Sequence, residues 1–229
     1  MWQHWGRQFP SFSLDGCPRL VVVAPHPDDE VLGAGGLMAL ACAAGIDVQV
    51  VAVTDGGASH PGSPTLTPQQ LVTLRPGESE AALAELGVLA APVRLGLPDG
   101  EVAAHEQELA STLESLVAGS WVLSTWRGDG HPDHEATGRA AAEACARTGA
   151  RHLEHPVWTW HWSHPDDPRV PWERASQVRL PASVQAAKRA AVAHFVTQVL
   201  PLSAHPADAP VLGPHVLARL LREVEVLFT

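Results

Sequence analysis

Two short stretches hold residue types that can do chemistry together. His26-Pro27-Asp28-Asp29-Glu30 sets one imidazole beside three carboxylates, and much later His131-Pro132-Asp133-His134 sets two imidazoles around another carboxylate. Three protein ligands with an open fourth position make the pattern of a catalytic zinc, and His26, Asp29 and His134 can supply it. The spacing of His26 and Asp29 brings both side chains to one side of a tight turn or helix start, and His134 heads a helix that would hold it firmly. Asp28 is left over beside a ligand, where it suits a general base acting on water. His131, oriented or kept cationic by Asp133, is placed to stabilise an oxyanion. Taken alone, the first stretch also reads as a helix cap with Asp28 or Asp29 at the N-cap, so the chemistry depends on the two loops meeting.

What must position them is a sheet. Val21-Val22-Val23 runs directly into the first loop, and the apolar segment 121–126 runs into the second through Arg127-Gly128-Asp129-Gly130. Such runs are the mark of buried parallel strands, and ligand sites of parallel sheets lie just past the carboxyl ends of strands. The segment 31–44, with Gly33, Gly35 and Gly36, reads as a buried helix that packs closely on a strand, and 46–53 as the next strand, completing a βαβ unit. The Gly-Ala-Gly-Gly string lacks the spacing of a dinucleotide fingerprint.

Further along, 58–67 is a loop long enough to cover a site, and a helix is expected from Thr67-Pro68 to Leu86 with an interruption or restart at Pro76-Gly77. Strands are expected at 92–97 and 177–180, helices at 103–117, from the second loop to 148, and at 182–195. The tryptophan-dense segment 155–162 reads as a strand or hairpin, 201–210 as a loop and 211–227 as a final helix. His164-Pro165-Asp166-Asp167 copies the first motif, but no apolar strand precedes it, which makes it a solvated turn.

A chain of 229 residues with 45% hydrophobic residues can bury a single core without staples. The formal charge of -10 makes a nucleic-acid backbone or an anionic membrane an unsuitable partner. The 3 cysteines include no C-x-x-C pair, which argues against a disulfide framework or thiolate site, so the cytoplasm is the expected compartment. The segment 1–17 reads as an ordered arm, and 31–45 is too short to span a bilayer.

Pro25-His26-Pro27-Asp28-Asp29-Glu30 and His131-Pro132-Asp133-His134, in this order and each after a strand, resemble the paired signatures of the LmbE-like, or PIG-L, zinc-dependent N-acetylglucosaminyl deacetylases. The similarity extends over roughly the first 150 residues, through Thr54-Asp55-Gly56-Gly57-Ala58, Arg75-x-x-Glu78 and Leu97-Pro98-Asp99-Gly100. It implies a Rossmann-like three-layer α/β/α sandwich with a mostly parallel sheet, in one domain over 1–229: the arm, a metal-site core at 18–150, and a part at 151–229 that completes the pocket. It also implies a metal-dependent hydrolase that removes the acetyl group from an N-acetylated amino sugar by attack of metal-activated water. Zn2+, or another divalent ion such as Fe2+, would be held by His26, Asp29 and His134. Asp28 would be the base, with His131, held by Asp133, assisting the oxyanion or leaving group.

Arg75 and Asp99 are the positions the resemblance assigns to sugar hydroxyls, although Arg75 also reads as a helix-surface charge. Some relatives carry a Tyr two residues before the second motif. This chain has no Tyr and places Asp129 there as a candidate substrate contact, so proton donation falls more heavily on His131. Trp160 and His161 offer a stacking face for a sugar, or in the case of alternating Trp, core packing. The partner implied is a small amino-sugar molecule, with a homo-oligomer left open. The alternatives are an amidase for another N-acyl group or a thiol-sugar conjugate, and a non-catalytic sugar- or metal-binding module.

Overall fold

Strand β1 (Arg19–Ala24) sends alternate side chains into two apolar layers. Leu20 and Val22 join one core, Val21 and Val23 the other, as the period-two geometry of a strand covered on both faces requires. The computed structural model describes Trp2, Trp5 and residues 7–229. Of the expected arm, Met1, Gln3, His4 and Gly6 lie outside the described residues. The rest of the arm is tied down: Phe9 is buried, Phe12 N–H donates to Gln177 O and Gln177 N–H to Pro10 O, each at 2.8 Å.

In chain order the elements are β1, α1 (Asp29–Ala43), β2 (Asp47–Thr54), α2 (Pro68–Glu85), β3 (Val93–Leu97), α3 (Glu106–Val117), β4 (Trp121–Thr125) and α4 (Pro132–Thr148). There follow β5 (Arg151–His155), α5 (Thr159–Trp162), β6 (Ala175–Arg179), α6 (Ala182–Ala193), α7 (Val196–Val199), α8 (Pro214–Leu220) and β7 (Val224–Phe228). The seven strands form one sheet in the order β3-β2-β1-β4-β5-β7-β6. The first five are mutually parallel, while β7 runs antiparallel to both β5 and β6. Helices α3 and α4 pack on one face and α1 and α6 on the other, giving the α/β sandwich.

Strand β1 pairs with β2 on one side and β4 on the other, with Leu20 opposite Trp121 and Val23 opposite Ser124. The chain winds away from β1 in both directions, and such a switch point opens a crevice at the carboxyl edge. Loops 25–28 and 126–131 therefore emerge side by side. The helices that leave these loops approach the sheet closely. A Cβ on Gly33 of α1 would lie 1.9 Å from His155 Nδ1, and one on Gly138 of α4 2.5 Å from Thr125 O.

Three elements differ from the sequence expectation. Helix α2 runs through Pro76 without a break. It is anchored on both sides of the proline, by Arg75, which donates to Gly56 O at 2.6 Å, and by Glu78, which accepts from Thr197 N–H at 2.8 Å, so one missing N–H does not end it. The segment 155–162 is neither strand nor hairpin: β5 ends at His155 and Thr159–Trp162 is a single helical turn. The expected final helix 211–227 splits into α8 and strand β7, which slots between β5 and β6. A short apolar run satisfies both periods, and backbone pairing with two neighbours decides for the strand. Among the described residues, no helix is long and apolar enough to cross a membrane.

Candidate active site

The first loop bends sharply into α1. Asp28, the residue before the helix, has φ 115°, a region that L side chains rarely adopt. Its N–H is taken by Glu30 Oε2 at 3.0 Å, and its carbonyl accepts from Val31 and Leu32. Gln198 Nε2 donates to Pro27 O at 2.7 Å and fixes the turn from the other side. The result aims His26, Asp28 and Asp29 into one cleft of about 500 Å³.

The second loop is held from within. The Asp129 carboxylate is fully buried and accepts from the Val157, Trp158 and Thr159 amides at 3.0, 2.8 and 2.9 Å, from Thr159 Oγ1 at 2.5 Å and from His134 Nδ1 at 2.8 Å. Asp129 thus stands behind His134 and does not face the cleft, which corrects the expectation that it touches substrate. His134 is turned so that Nε2 points at Asp29 Oδ2, 3.2 Å away. That nitrogen is buried without a hydrogen-bond partner among the described residues.

Asp29 Oδ2 lies 3.2 Å from His26 Nδ1 as well as from His134 Nε2. Ligands bonded at about 2.0 Å to a tetrahedral zinc are separated by roughly 3.3 Å, so Asp29 Oδ2 stands at ligand-to-ligand spacing from one nitrogen of each imidazole. His26 Nε2 in turn meets Asp133 Oδ2 at 3.0 Å and Asp99 Oδ1 at 3.2 Å, and His134 Nδ1 meets Asp129. A carboxylate behind each imidazole is the arrangement that orients metal-binding histidines. His131 also brings a ring nitrogen within 4.8 Å of those of His26 and His134, and His26, Asp99 and Asp133 make a second close group.

The electrostatics favour a positive charge here. Burial would depress the His26 and His134 pKa values, but Asp133, Asp29 and Asp99 raise His26 well above its ordinary value, and Asp29 and Asp129 bring His134 up to about 9. Asp29 is held far below the carboxylate range despite its burial, because both imidazoles face it. Asp28 goes the other way. Burial and the charges of Asp29 and Glu30 raise it well above a normal carboxyl, against the pull of Arg75 and His26. Glu30 is pushed up to about 7, mainly by burial. A divalent ion binding to such a group would displace protons from the imidazoles.

Two expectations about the second motif are corrected. Asp133 does not hold the His131 ring. Its carboxylate turns to His26 and to the Gly100 and Val102 amides at 2.7 and 3.2 Å, and only its backbone N–H reaches His131 Nδ1, at 3.2 Å. His131 is also not cationic: burial and the neighbouring His134 and His26 push its pKa down to about 4. With Nδ1 accepting a hydrogen bond, the tautomer assigned to the neutral ring carries its hydrogen on Nε2.

Arg75 is buried, not a surface charge. Its guanidinium donates to Gly56 O, to Ser59 Oγ at 2.7 Å and to Thr197 Oγ1 at 3.3 Å, and it lines the cleft with Asp99. Asp99 accepts from Ala58 N–H at 2.7 Å, so it braces the covering loop as well as His26. His161 lines the cleft and meets Arg219. Trp160 does not: it is buried, packed edge-on against Trp2 and tilted against Trp172. The aromatic at the cleft is Trp158, half exposed, with its ring 5.1 Å from that of His131. The copied motif is a turn, with Asp166 at φ 59° paired to Arg7 at 2.8 Å.

Sequence reasoning missed a wedge behind the first loop. Glu225 of β7 accepts from the amides of Gly36 and Leu37 inside α1 at 2.7 and 2.8 Å, and Lys188 of α6 donates to Leu32 O at 2.8 Å and to Glu225 at 2.6 Å. Side chains thus occupy backbone groups that an undisturbed helix pairs with one another. Lys188 and Gln198 carry no signal in the sequence, because neither belongs to a motif and their backbone acceptors, Leu32 and Pro27, lie more than a hundred residues away.

The family model described as PIG-L, GlcNAc-PI de-N-acetylase, matches residues 21–145, which hold both loops. The chain belongs to this family. Among curated relatives, the 1D-myo-inositol 2-acetamido-2-deoxy-alpha-D-glucopyranoside deacetylase of Nocardioides sp. is 30% identical over 206 residues, 75% of this chain and 67% of the relative. The protein of the same description from Mycolicibacterium gilvum is 35% identical over 160 residues, 56% of each chain. A solved structure, a conserved protein from Thermus thermophilus, superposes with a TM-score of 0.65 at 27% identity, covering 92% of this chain and 93% of that one. The matched part spans about half the length of the first curated relatives. PIG-L membership accounts for the site-bearing core, whereas β5, β6, β7 and α5 to α8 lie outside the matched residues.

Proposed function

We propose that the protein is a metal-dependent hydrolase that removes the acetyl group from an N-acetylated amino sugar, an N-acetylglucosamine conjugate. The observation that carries this reading is the meeting of the two loops around Asp29, with buried His134 Nε2, which has no hydrogen-bond partner among the described residues, on one side and His26 Nδ1 on the other. The relatives named as deacetylases of an acetamido-glucopyranoside support it. His26, Asp29 and His134 would hold a Zn2+ or another divalent ion such as Fe2+, which when bound supplies Lewis acidity to the amide carbonyl and makes water nucleophilic near neutral pH.

The side chains divide the remaining work. Asp28, with its raised pKa, takes a proton from water as the water oxygen bonds to the amide carbon. The neutral His131 offers its Nε2 hydrogen to the carbonyl oxygen as that oxygen gains charge. When the carbon–nitrogen bond breaks, Asp28 passes the proton on to the leaving nitrogen, so one water is consumed and an amine and acetate are released. Arg75, Ser59 and Asp99 form the polar flank that meets the sugar.

The test is metal content after purification, followed by release of primary amine from N-acetylglucosamine conjugates before and after chelation. Amine release that is lost with the metal and restored by Zn2+ or Fe2+ is the expected result. A metal-loaded protein that releases no amine from any such conjugate would favour the binding-module reading.

A further inference from the structure

The cleft has two unlike flanks. On one side of the histidines stand Ser59, Arg75 and Asp99, and on the other an apolar wall of Val157, Trp158, Val211, Leu212, Val216 and Leu220. Most of that wall comes from the end of the chain, beyond the residues that match the family. Its outer rim is open: Trp158 is 46% and Val211 37% exposed, whereas Leu212 and Leu220 are buried at its base. The two parts of the wall are joined, because Arg219 of α8 meets His161 Nδ1 of α5 at 2.7 Å.

An acetyl group and a sugar do not need such a wall. The sugar's hydroxyls ask for donors and acceptors, which the first flank holds, and the methyl of an acetyl group covers little apolar surface. The volume, about 500 Å³, lies within the roughly 300–1,000 Å³ of sites for drug-sized ligands. Nor is the cleft fitted to a phosphate. Arg75 is the one Arg or Lys among the described residues lining it, and its guanidinium is committed to Gly56, Ser59 and Thr197.

We infer that the substrate is an amphiphilic amino sugar, bearing a chain of several apolar carbons that lies along the Trp158–Val211–Val216 wall while the sugar occupies the polar flank. The inference rests on the hydrolase reading above and adds the substrate class to it. Two attachments share this chemistry, an acyl group longer than acetyl on the nitrogen and an apolar aglycone on the anomeric oxygen. The wall begins beside His131, with the Trp158 ring 5.1 Å from the imidazole, so neither attachment is favoured by position alone.

The experiment compares kcat/KM for amine release from N-acetylglucosamine, N-hexanoylglucosamine, methyl N-acetylglucosaminide and hexyl N-acetylglucosaminide with metal-loaded enzyme. Each buried CH2 can contribute a factor of about four, so at least one hexyl arm should exceed its short partner by about tenfold or more. Which arm does so identifies the attachment. The advantage should shrink severalfold in Val211→Glu, at an exposed rim position that does not endanger folding, and in Val216→Ser. Equal rates for short and long substrates overturn the inference while leaving the hydrolase reading intact, and so does an advantage that survives both variants. If no amine is released at all, the hydrolase reading fails, and calorimetry decides the wall: hexyl glucosaminide binding no tighter than methyl glucosaminide overturns it too.

Discussion

The two loops that meet at the cleft are built on opposite plans. The first, 25–30, crowds His26, Asp28, Asp29 and Glu30 together with a positive φ at Asp28 and with carboxyl pKa values driven apart. The second, 126–134, is saturated with hydrogen bonds, five of them ending on one carboxylate, Asp129. One loop stores unfavourable crowding around Asp28, the proposed base, and the other supplies a fixed frame beside it. The positive φ at the first strand end persists because Glu30 and Gln198 over-determine the turn.

The largest effect should come from breaking the frame. Asp129→Ala leaves three backbone amides and His134 without their acceptor, each costing about 1–3 kcal/mol. The expected loss is about 5 kcal/mol of stability together with metal binding, read by chemical denaturation and by metal content of whatever folds. Next comes Asp28→Asn, which should lower turnover by about a thousandfold, or about 4 kcal/mol of barrier, while metal stays bound and thermal stability holds or rises as carboxylate crowding is relieved. If Asp28→Asn lost as much stability as Asp129→Ala, the contrast between a reactive loop and a structural one would fail. The smallest of the three is Lys188→Met. It leaves Glu225 buried without its counter-charge, at a cost of about 3 kcal/mol, or a Tm lower by roughly 10 °C. Activity near wild type at low temperature would show that the wedge stabilises α1 without setting the position of Asp28 and Asp29; a matching fall in metal affinity would show that it sets both.

Much of this arrangement was legible in the residues. The apolar strands, the loops that end them, the helix starts and the acidic and imidazole content of each loop follow from local pattern, and the family match over 21–145 bears out the resemblance. Side-chain direction was not legible. Asp133 sits next to His131 in sequence yet serves His26, and Asp129 serves His134 and the turn at 157–159. Trp158 and Trp160 stand two residues apart at the start of α5, yet one faces the cleft and the other the core.

The sequence by itself determined that strands would end in metal-competent loops, because period, β-branching and turn residues act over a few neighbours. Only the tertiary structure decided which carboxylate stands behind which imidazole, that Lys188 and Glu225 reach into α1, and that 224–228 becomes a strand while α8 walls the cleft. Those outcomes depend on hydrogen-bond partners and buried surface supplied from far along the chain, and an isolated segment carries no record of what will be packed against it.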